Sequence, residues 1–286
     1  MSTTASFLDN HLACIACQAP LAHDMEECRC TGCDMVYPMA SGIPDCYPRA
    51  SPYTPRNINI RHQYEGFGEE QGLSETWHNL RRRRLTVDLV DPSDSVLEIG
   101  CAEGWMTESL VERASVVVGS DIALNFLQRA RENVPAADYV LLDAHHLPFL
   151  DASFSCVVMT EVLEHVYAPY GVLEEIYRVL EPGGHLVLSV PNHLNVPRLL
   201  QHLRNRQDKS HDAHFSAFDY FSLDKLLDFA GFKVNATYAD YIHVPVIKRF
   251  FANDRMQDRL QKRWRYFGNR LIVRAVKAED SLWTRL

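Results

Sequence analysis

Long apolar runs are missing from this sequence: none of 18 residues occurs in a chain of 286, which excludes an ordinary membrane-spanning helix. A basic segment followed by an apolar one is also missing at the N-terminus, and the expectation is a cytoplasmic protein. Positive charge is in deficit, with 29 Lys and Arg against 37 Asp and Glu for a net charge of −8. That balance argues against whole-molecule attraction to nucleic acid or anionic membrane and leaves room only for local basic patches. Cysteine is scarce over most of the chain, because six of the eight lie between Cys14 and Cys46. Cysteines clustered in this way, without an export segment, read as metal ligands and not as a disulfide framework. A hydrophobic content of 47% is enough for one α/β core of ordinary size with a small module attached.

That small module holds two C-x2-C pairs, Cys14/Cys17 and Cys30/Cys33, separated by twelve residues. Each pair can form a tight knuckle, and two knuckles supply the closed tetrahedral thiolate set of a structural zinc site. Cys28 competes with Cys30, and Cys46 is a spare. The 28-to-33 spacing makes a poorer knuckle, so Cys30 is preferred. With few apolar residues of its own, the module is expected to depend on its metal for folding. A closed set has no open coordination position, so no catalysis is assigned to it.

The rest of the chain is arranged around VLEIGCAEG, Val96 to Gly104. Val96, Leu97 and Ile99 read as a buried strand that breaks at Gly100 into a small-residue turn and enters a helix at Trp105. Small residues at 100, 102 and 104 let a ligand lie against the backbone, and the helix start offers unpaired amides. The acidic Glu98 within the strand repels a pyrophosphate and suits a cationic ligand. Beyond the turn, apolar strands alternate with helices: strands at 116–121, 138–143, 155–160 and 185–190, and helices at 123–133 and 170–180. This pattern predicts a parallel sheet covered on both faces, with ligands at the carboxyl ends of its strands.

VLEIGCAEG, VVVGSDIA, LLDAHHLPF, SFSCVVMTEVLEHV and LEPGGHLVLSVPN resemble, in that order, the motifs of class I S-adenosylmethionine-dependent methyltransferases of the type 11, ubiquinone-methyltransferase-like group. The resemblance runs from about Ser95 to Lys277 and departs from the usual pattern at Ala102, which stands where glycine is more common. It implies a Rossmann-like seven-stranded, mostly parallel sheet with helices on both faces. It also implies S-adenosylmethionine held by Glu98, Gly100, Ala102, Gly104, Asp121, Ile122, Asp143, Ala144 and Glu161. Asp121 would receive the ribose hydroxyls, and Asp143 with the Ala144 amide would meet the adenine. CIACQAPL and CDMVYPMASGIPD, within about residues 12 to 48, are similar to the zinc-ribbon activator subunits of RNA methyltransferases. The implied organisation is a zinc ribbon at 1–49, a linker and helix at 50–94, and a methyltransferase domain at 95–286. The last contains an acceptor-binding insert around 191–220 and a C-terminal helix around 244–266.

A sulfonium methyl is already activated, so positioning dominates, and a base is needed only where the acceptor loses a proton. His165 and His214 are the candidate bases. Glu161, Glu164, His165 and His214 also form a candidate oxygen-rich site for magnesium or another divalent metal, similar to the set in metal-dependent O-methyltransferases of small-RNA ends and ubiquinone precursors. Leu-Glu-His-Val also occurs in relatives without a metal, and both readings stand. His145, His146, His193 and His211 are read as pocket walls or surface residues.

The helix beginning near Leu73 is expected to bury Trp77, Leu80, Leu85 and Leu89 and to leave Arg81 to Arg84 as a solvated face with one or two ion pairs. The linker, including Arg61 to Tyr64, is read as solvated or folded over the cofactor. Residues 246–270 carry eight Lys or Arg against two Asp, with aromatics interleaved. A helix covering the acceptor pocket or making a homodimer contact is preferred there to an RNA- or membrane-binding surface. The acceptor is expected to be a small molecule, glycan or lipid-linked compound methylated on oxygen. Nucleic acid is the alternative acceptor, and a non-catalytic zinc-ribbon scaffold is the alternative of another class.

Overall fold

The computed structural model describes residues 6–48, 76–195, 197, 198, 200, 214–242 and 254–278. The linker with Arg61 to Tyr64, most of the expected insert including His211, and the segment 243–253 lie outside the described residues.

The N-terminal module opens with a short helix, α1 (Phe7–His11), whose Ser6 cap and Asp9 form a reciprocal capping box. Four short strands follow, β1 (Leu21–His23), β2 (Glu27–Cys30), β3 (Val36–Ala40) and β4 (Ile43–Pro44), paired antiparallel in sequence order. After the helix α2 (Trp77–Val87) come β5 (Ser95–Ile99), α3 (Trp105–Val111), β6 (Val116–Asp121), α4 (Leu124–Asn133) and β7 (Asp138–Leu141). The chain continues through β8 (Phe154–Thr160), α5 (Pro169–Val179), β9 (Leu180–Pro191), α6 (Tyr220–Phe229), β10 (Phe232–Ala239), α7 (Asp254–Trp264) and β11 (Arg270–Lys277). The seven strands β5 to β11 form one sheet in the order β10-β11-β9-β8-β5-β6-β7. β11 runs antiparallel to both its neighbours, and the pairs from β9 to β7 are parallel. This is the expected seven-stranded, mostly parallel, Rossmann-like sheet.

Alternation along the strands divides the core between the two faces. Leu97, Ile99, Val118, Val140 and Met159 join α5 and α6 on one side. Val96, Val117, Val158 and Val187 pack with Met106 and Leu110 of α3 and Leu127 and Ala130 of α4 on the other.

The N-terminal module closes the β7 edge of this sheet. Asp45 forms a parallel bridge with Leu141, the Cys46 amide donates to the Leu141 carbonyl at 2.9 Å, and Ala13 and His11 exchange backbone bonds with Pro148 and Leu150 at 2.9 Å. Leu8, Leu12, Leu21 and Tyr37 belong to the same apolar cluster as the sheet interior. An edge that would otherwise offer unpaired amides and carbonyls is thereby covered.

One element differs from expectation. Helix α2 buries Arg81 and Arg82, which are 3% and 4% exposed, while Leu80 is 44% exposed. The solvated-face reading of the arginine run is therefore wrong. The partners that compensate the buried guanidinium groups lie far away in sequence. Arg81 pairs with Asp254 and Asp258 of α7 at 2.7 Å each, Arg84 with Asp254 at 2.7 Å, Arg83 with Glu108 at 2.6 Å, and Arg82 faces Glu161 at 3.6 Å.

Candidate active site

The turn after β5 is shaped by close backbone approach. Gly100 has φ 78°, and a Cβ there would meet Val162 at 2.3 Å; Gly104 has φ 86° and lies against Ala130. Ala102 also takes a left-handed conformation, φ 46°, a position where most residues are strained. The result is a tight backbone rim of small residues at 100, 102 and 104 at the strand end. Asp121 at the end of β6 ties this rim together: one carboxylate oxygen accepts from the Ala102 amide at 3.0 Å and the other from the Ala123 amide at 3.0 Å. Burial raises the Asp121 pKa, and these amides oppose the rise.

Glu98 lies under the rim. It is 2% exposed and accepts from the Thr107 hydroxyl at 2.6 Å. Burial pushes its carboxyl up to about 7, with the Thr107 bond pulling the other way. Two buried polar atoms of the helices that follow, Trp105 Nε1 of α3 and Asn125 Oδ1 of α4, have no hydrogen-bond partner among the described residues, and the Trp105 ring lies under Arg83 of α2. Ile122 follows Asp121 on the same loop.

At the end of β7, Asp143 is buried and accepts from the His145 amide at 3.0 Å, and its carboxylate lies 2.7 Å from His145 Nδ1. The Ala168 amide donates to His145 Nε2 at 3.3 Å, so Nδ1 carries the proton and donates to Asp143. His145 thus holds the Asp143 and Ala144 loop against the start of α5. The sequence offered only a nearby histidine as a signal for this role.

Past β8 the chain turns at Glu161, φ 57°, and enters a 3-10 turn at Leu163–His165. Glu164, His165 and His214 each offer a ligand atom within 4.8 Å of the others. The His165 and His214 rings meet edge to face at 4.7 Å. His214 is brought here because the Phe215 and Ser216 amides both donate to the Glu164 carbonyl, at 2.8 and 3.2 Å. Glu164 is 1% exposed, and its Oε2 has no partner among the described residues. Burial first, and then the neighbouring Glu161 charge, raises its pKa to about 9.

Glu161 itself belongs to a different group. It accepts from Arg270 Nε at 2.7 Å and from the Ser189 hydroxyl at 2.9 Å, and Arg270 also donates to the buried Asp240 at 2.9 Å. With Arg82, these residues form a partly buried charge network at the ends of β8, β10 and β11. Arg82, Asp240 and Arg270 were absent from the sequence-based site, because nothing local to them signals a shared location.

In the N-terminal module the four predicted thiols converge. Cys14 and Cys33 sulfurs are 3.7 Å apart, Cys17 and Cys30 3.4 Å, and Cys17 and Cys33 3.5 Å. Cys28 lies instead in the apolar core against Met39, and Cys46 is likewise buried. The Tyr37 hydroxyl sits 3.2 Å from Cys14 and accepts from the Ile15 amide, which fixes the first knuckle. The set is the closed four-sulfur arrangement that suits zinc.

Residues 97–188, the span from the Glu98 turn to β9, match the family described as a methyltransferase domain. The chain carries a methyltransferase domain. A demethylmenaquinone methyltransferase of Paenarthrobacter aurescens is 34% identical over 119 residues, which is 41% of this chain and 47% of that protein. The chain spans less than two thirds of the length of the curated relatives it first matches. Among solved structures, an S-adenosylmethionine-dependent methyltransferase from Thermotoga maritima is similar with a TM-score of 0.56 and 20% identity, covering 76% of this chain and 99% of that one. A chain from the complex between the Haloferax volcanii Trm112 methyltransferase activator and a methyltransferase has a TM-score of 0.54 and 20% identity, covering 80% and 95%. At these identities the structural likeness shows the fold of the methyltransferase domain and nothing finer.

Proposed function

We propose that this protein transfers a methyl group from S-adenosylmethionine to an oxygen of a small-molecule acceptor. The observation that carries the reading is the tight turn of Gly100 to Gly104, left-handed at Gly100, Ala102 and Gly104, joined to Asp121 above the buried Glu98. Such a rim fits a ligand without phosphates that lies against backbone and needs a carboxylate for its hydroxyls. S-adenosylmethionine would supply the activated methyl. Gly100, Ala102 and Gly104 give its amino-acid end room, with Glu98 beneath as the counter-charge. Asp121 and Ile122 receive the ribose, and Asp143 and Ala144, braced by His145, receive the adenine. Glu161 lies at the acceptor end and steadies the wall through Arg270.

His165 or His214 takes the acceptor proton. Their edge-to-face contact, held by the backbone bonds to Glu164, keeps both imidazoles at one place. A small-molecule acceptor is supported by the demethylmenaquinone methyltransferase relative. The four-sulfur module would hold a structural zinc ion that secures the β7 edge.

A second reading concerns a divalent cation at Glu164, His165 and His214, favoured by the convergence of their ligand atoms. Glu161, already paired with Arg270, would then orient the site from outside it. The test is transfer of labelled methyl from S-adenosylmethionine to a panel of hydroquinones and catechols. Wild type is expected to methylate one class, and Asp121→Ala and a double His165→Ala/His214→Ala variant to lose at least tenfold in kcat/KM. Equal rates in all three would overturn the assignment. Full activity in chelator, unchanged by Glu164→Ala, would remove the cation reading alone.

A further inference from the structure

At the opposite ends of the strands from the candidate active site, three buried side chains of different chemistry meet. Cys156 of β8 pairs in register with His185 of β9 and with Val96 of β5, and Asp94 stands two residues before Val96. By alternation all three project to one face of the sheet, the one covered by α3. They are almost fully buried, with Asp94 5%, Cys156 0% and His185 3% exposed. One ligand atom of each lies within 4.8 Å of the other two, and His185 Nε2 is 3.6 Å from Asp94 Oδ2.

The surroundings hold these groups in a way a simple ion pair does not require. Asp94 accepts from the Ser155 hydroxyl at 2.8 Å and from the Asp91 amide at 2.7 Å, so both its oxygens are oriented. The Nε2 nitrogen of His185 has no hydrogen-bond partner among the described residues. At 3.6 Å it is too far from Asp94 for a hydrogen bond. A buried ring nitrogen without a hydrogen-bond partner thus faces an oriented carboxylate and a thiol inside the core. A cation between them would satisfy all three.

We infer that Asp94, Cys156 and His185 bind one divalent cation of the zinc class and so tie β5, β8 and β9 together beneath the sheet. The donor set of one nitrogen, one sulfur and one oxygen suits a borderline-soft ion. Two ligand atoms on a common tetrahedral zinc stand roughly 3.3–3.5 Å apart given its usual bond lengths, close to the observed 3.6 Å. The outer bonds from Ser155 and Asp91 match the way a metal-binding carboxylate is held by its neighbours. On binding, the Cys156 sulfur bonds to the ion and releases its proton to solvent. The two resulting negative charges of Asp94 and Cys156 balance the dication, so the core gains no net charge. The remaining position is left to solvent or a backbone oxygen.

The test is metal content per chain of the full-length protein by mass spectrometry, for wild type, Cys156→Ala, His185→Gln and Cys30→Ser. Wild type is expected to hold one more equivalent than Cys156→Ala or His185→Gln, and Cys30→Ser to lose a different equivalent while keeping this one. Cys156→Ala removes only a sulfur and keeps the strand packed, so it decides the matter if His185→Gln does not fold. Equal metal in wild type and folded Cys156→Ala would overturn the inference. So would a single wild-type equivalent that Cys30→Ser abolishes. Neither outcome bears on methyl transfer, because the cluster lies at the far ends of the strands from Asp121.

Discussion

Glu98 is where one residue's burial has a measurable consequence. Its carboxyl stands at about 7 in the folded chain, against 4.5 ordinarily, because burial outweighs the Thr107 hydrogen bond. A carboxyl raised on folding gives its full contribution below the unfolded value and loses it as pH rises through the folded one. The ligand-free protein should therefore lose stability between about pH 4.5 and 7 on account of this group. Glu98→Gln keeps an acceptor for Thr107 without the charge. In urea titrations of the ligand-free protein, the variant should match wild type near pH 4.5 and exceed it by about 3 kcal/mol above pH 7. A difference independent of pH would show that Glu98 does not titrate in this window. The residue was legible in the sequence as an acid inside a strand. Its burial against α3 was not, because Thr107 becomes a partner only when the helix folds back on β5.

At the scale of elements, β5 to β9 were readable because their apolar runs are local and each ends at a turn residue. The strand-end acids Asp121 and Asp143 followed from that placement. Helix α2 was misread for the complementary reason. The partners that allow Arg81 and Arg82 to be buried, Asp254, Asp258 and Glu161, are remote in sequence, and a run of arginines has no local feature that announces them. Arg81→Ala would remove a buried guanidinium and take away the Arg81 partner of Asp258, while Asp254 keeps Arg84. The expected loss is about 1–2 kcal/mol in denaturant unfolding, from lost packing of the buried side chain, against less than about 0.5 kcal/mol for Arg84→Ala on the exposed side. Equal effects would contradict the burial difference between them.

The N-terminal module makes a second prediction at this scale. Cys30→Ser should remove one zinc equivalent and increase hydrogen exchange at Leu150, whose amide donates to the His11 carbonyl of the module. Cys28→Ser should leave zinc content unchanged and cost about 1–3 kcal/mol, because it puts a hydroxyl into the apolar core. Loss of zinc in Cys28→Ser would reverse the assignment of the fourth ligand.

For the whole molecule, the sheet brings residues from four strand ends to one rim, and the N-terminal module and α2 brace that assembly from opposite sides. The fold class could be read in advance because it depends on short motifs in a fixed order. The charge network of Arg82, Glu161, Asp240 and Arg270 could not, because these residues meet only through long-range pairing of α2, β10 and β11. The central claim is that the rim of Gly100 to Gly104 with Asp121 receives S-adenosylmethionine. Calorimetric titration of S-adenosylmethionine into the full-length protein tests it most directly, with Asp121→Ala alongside and circular dichroism to verify the fold of both. The account predicts saturable one-to-one binding by wild type and at least a tenfold weaker Kd in the variant. Folded wild-type protein that binds no S-adenosylmethionine, or an Asp121→Ala variant that binds it equally well, would contradict it.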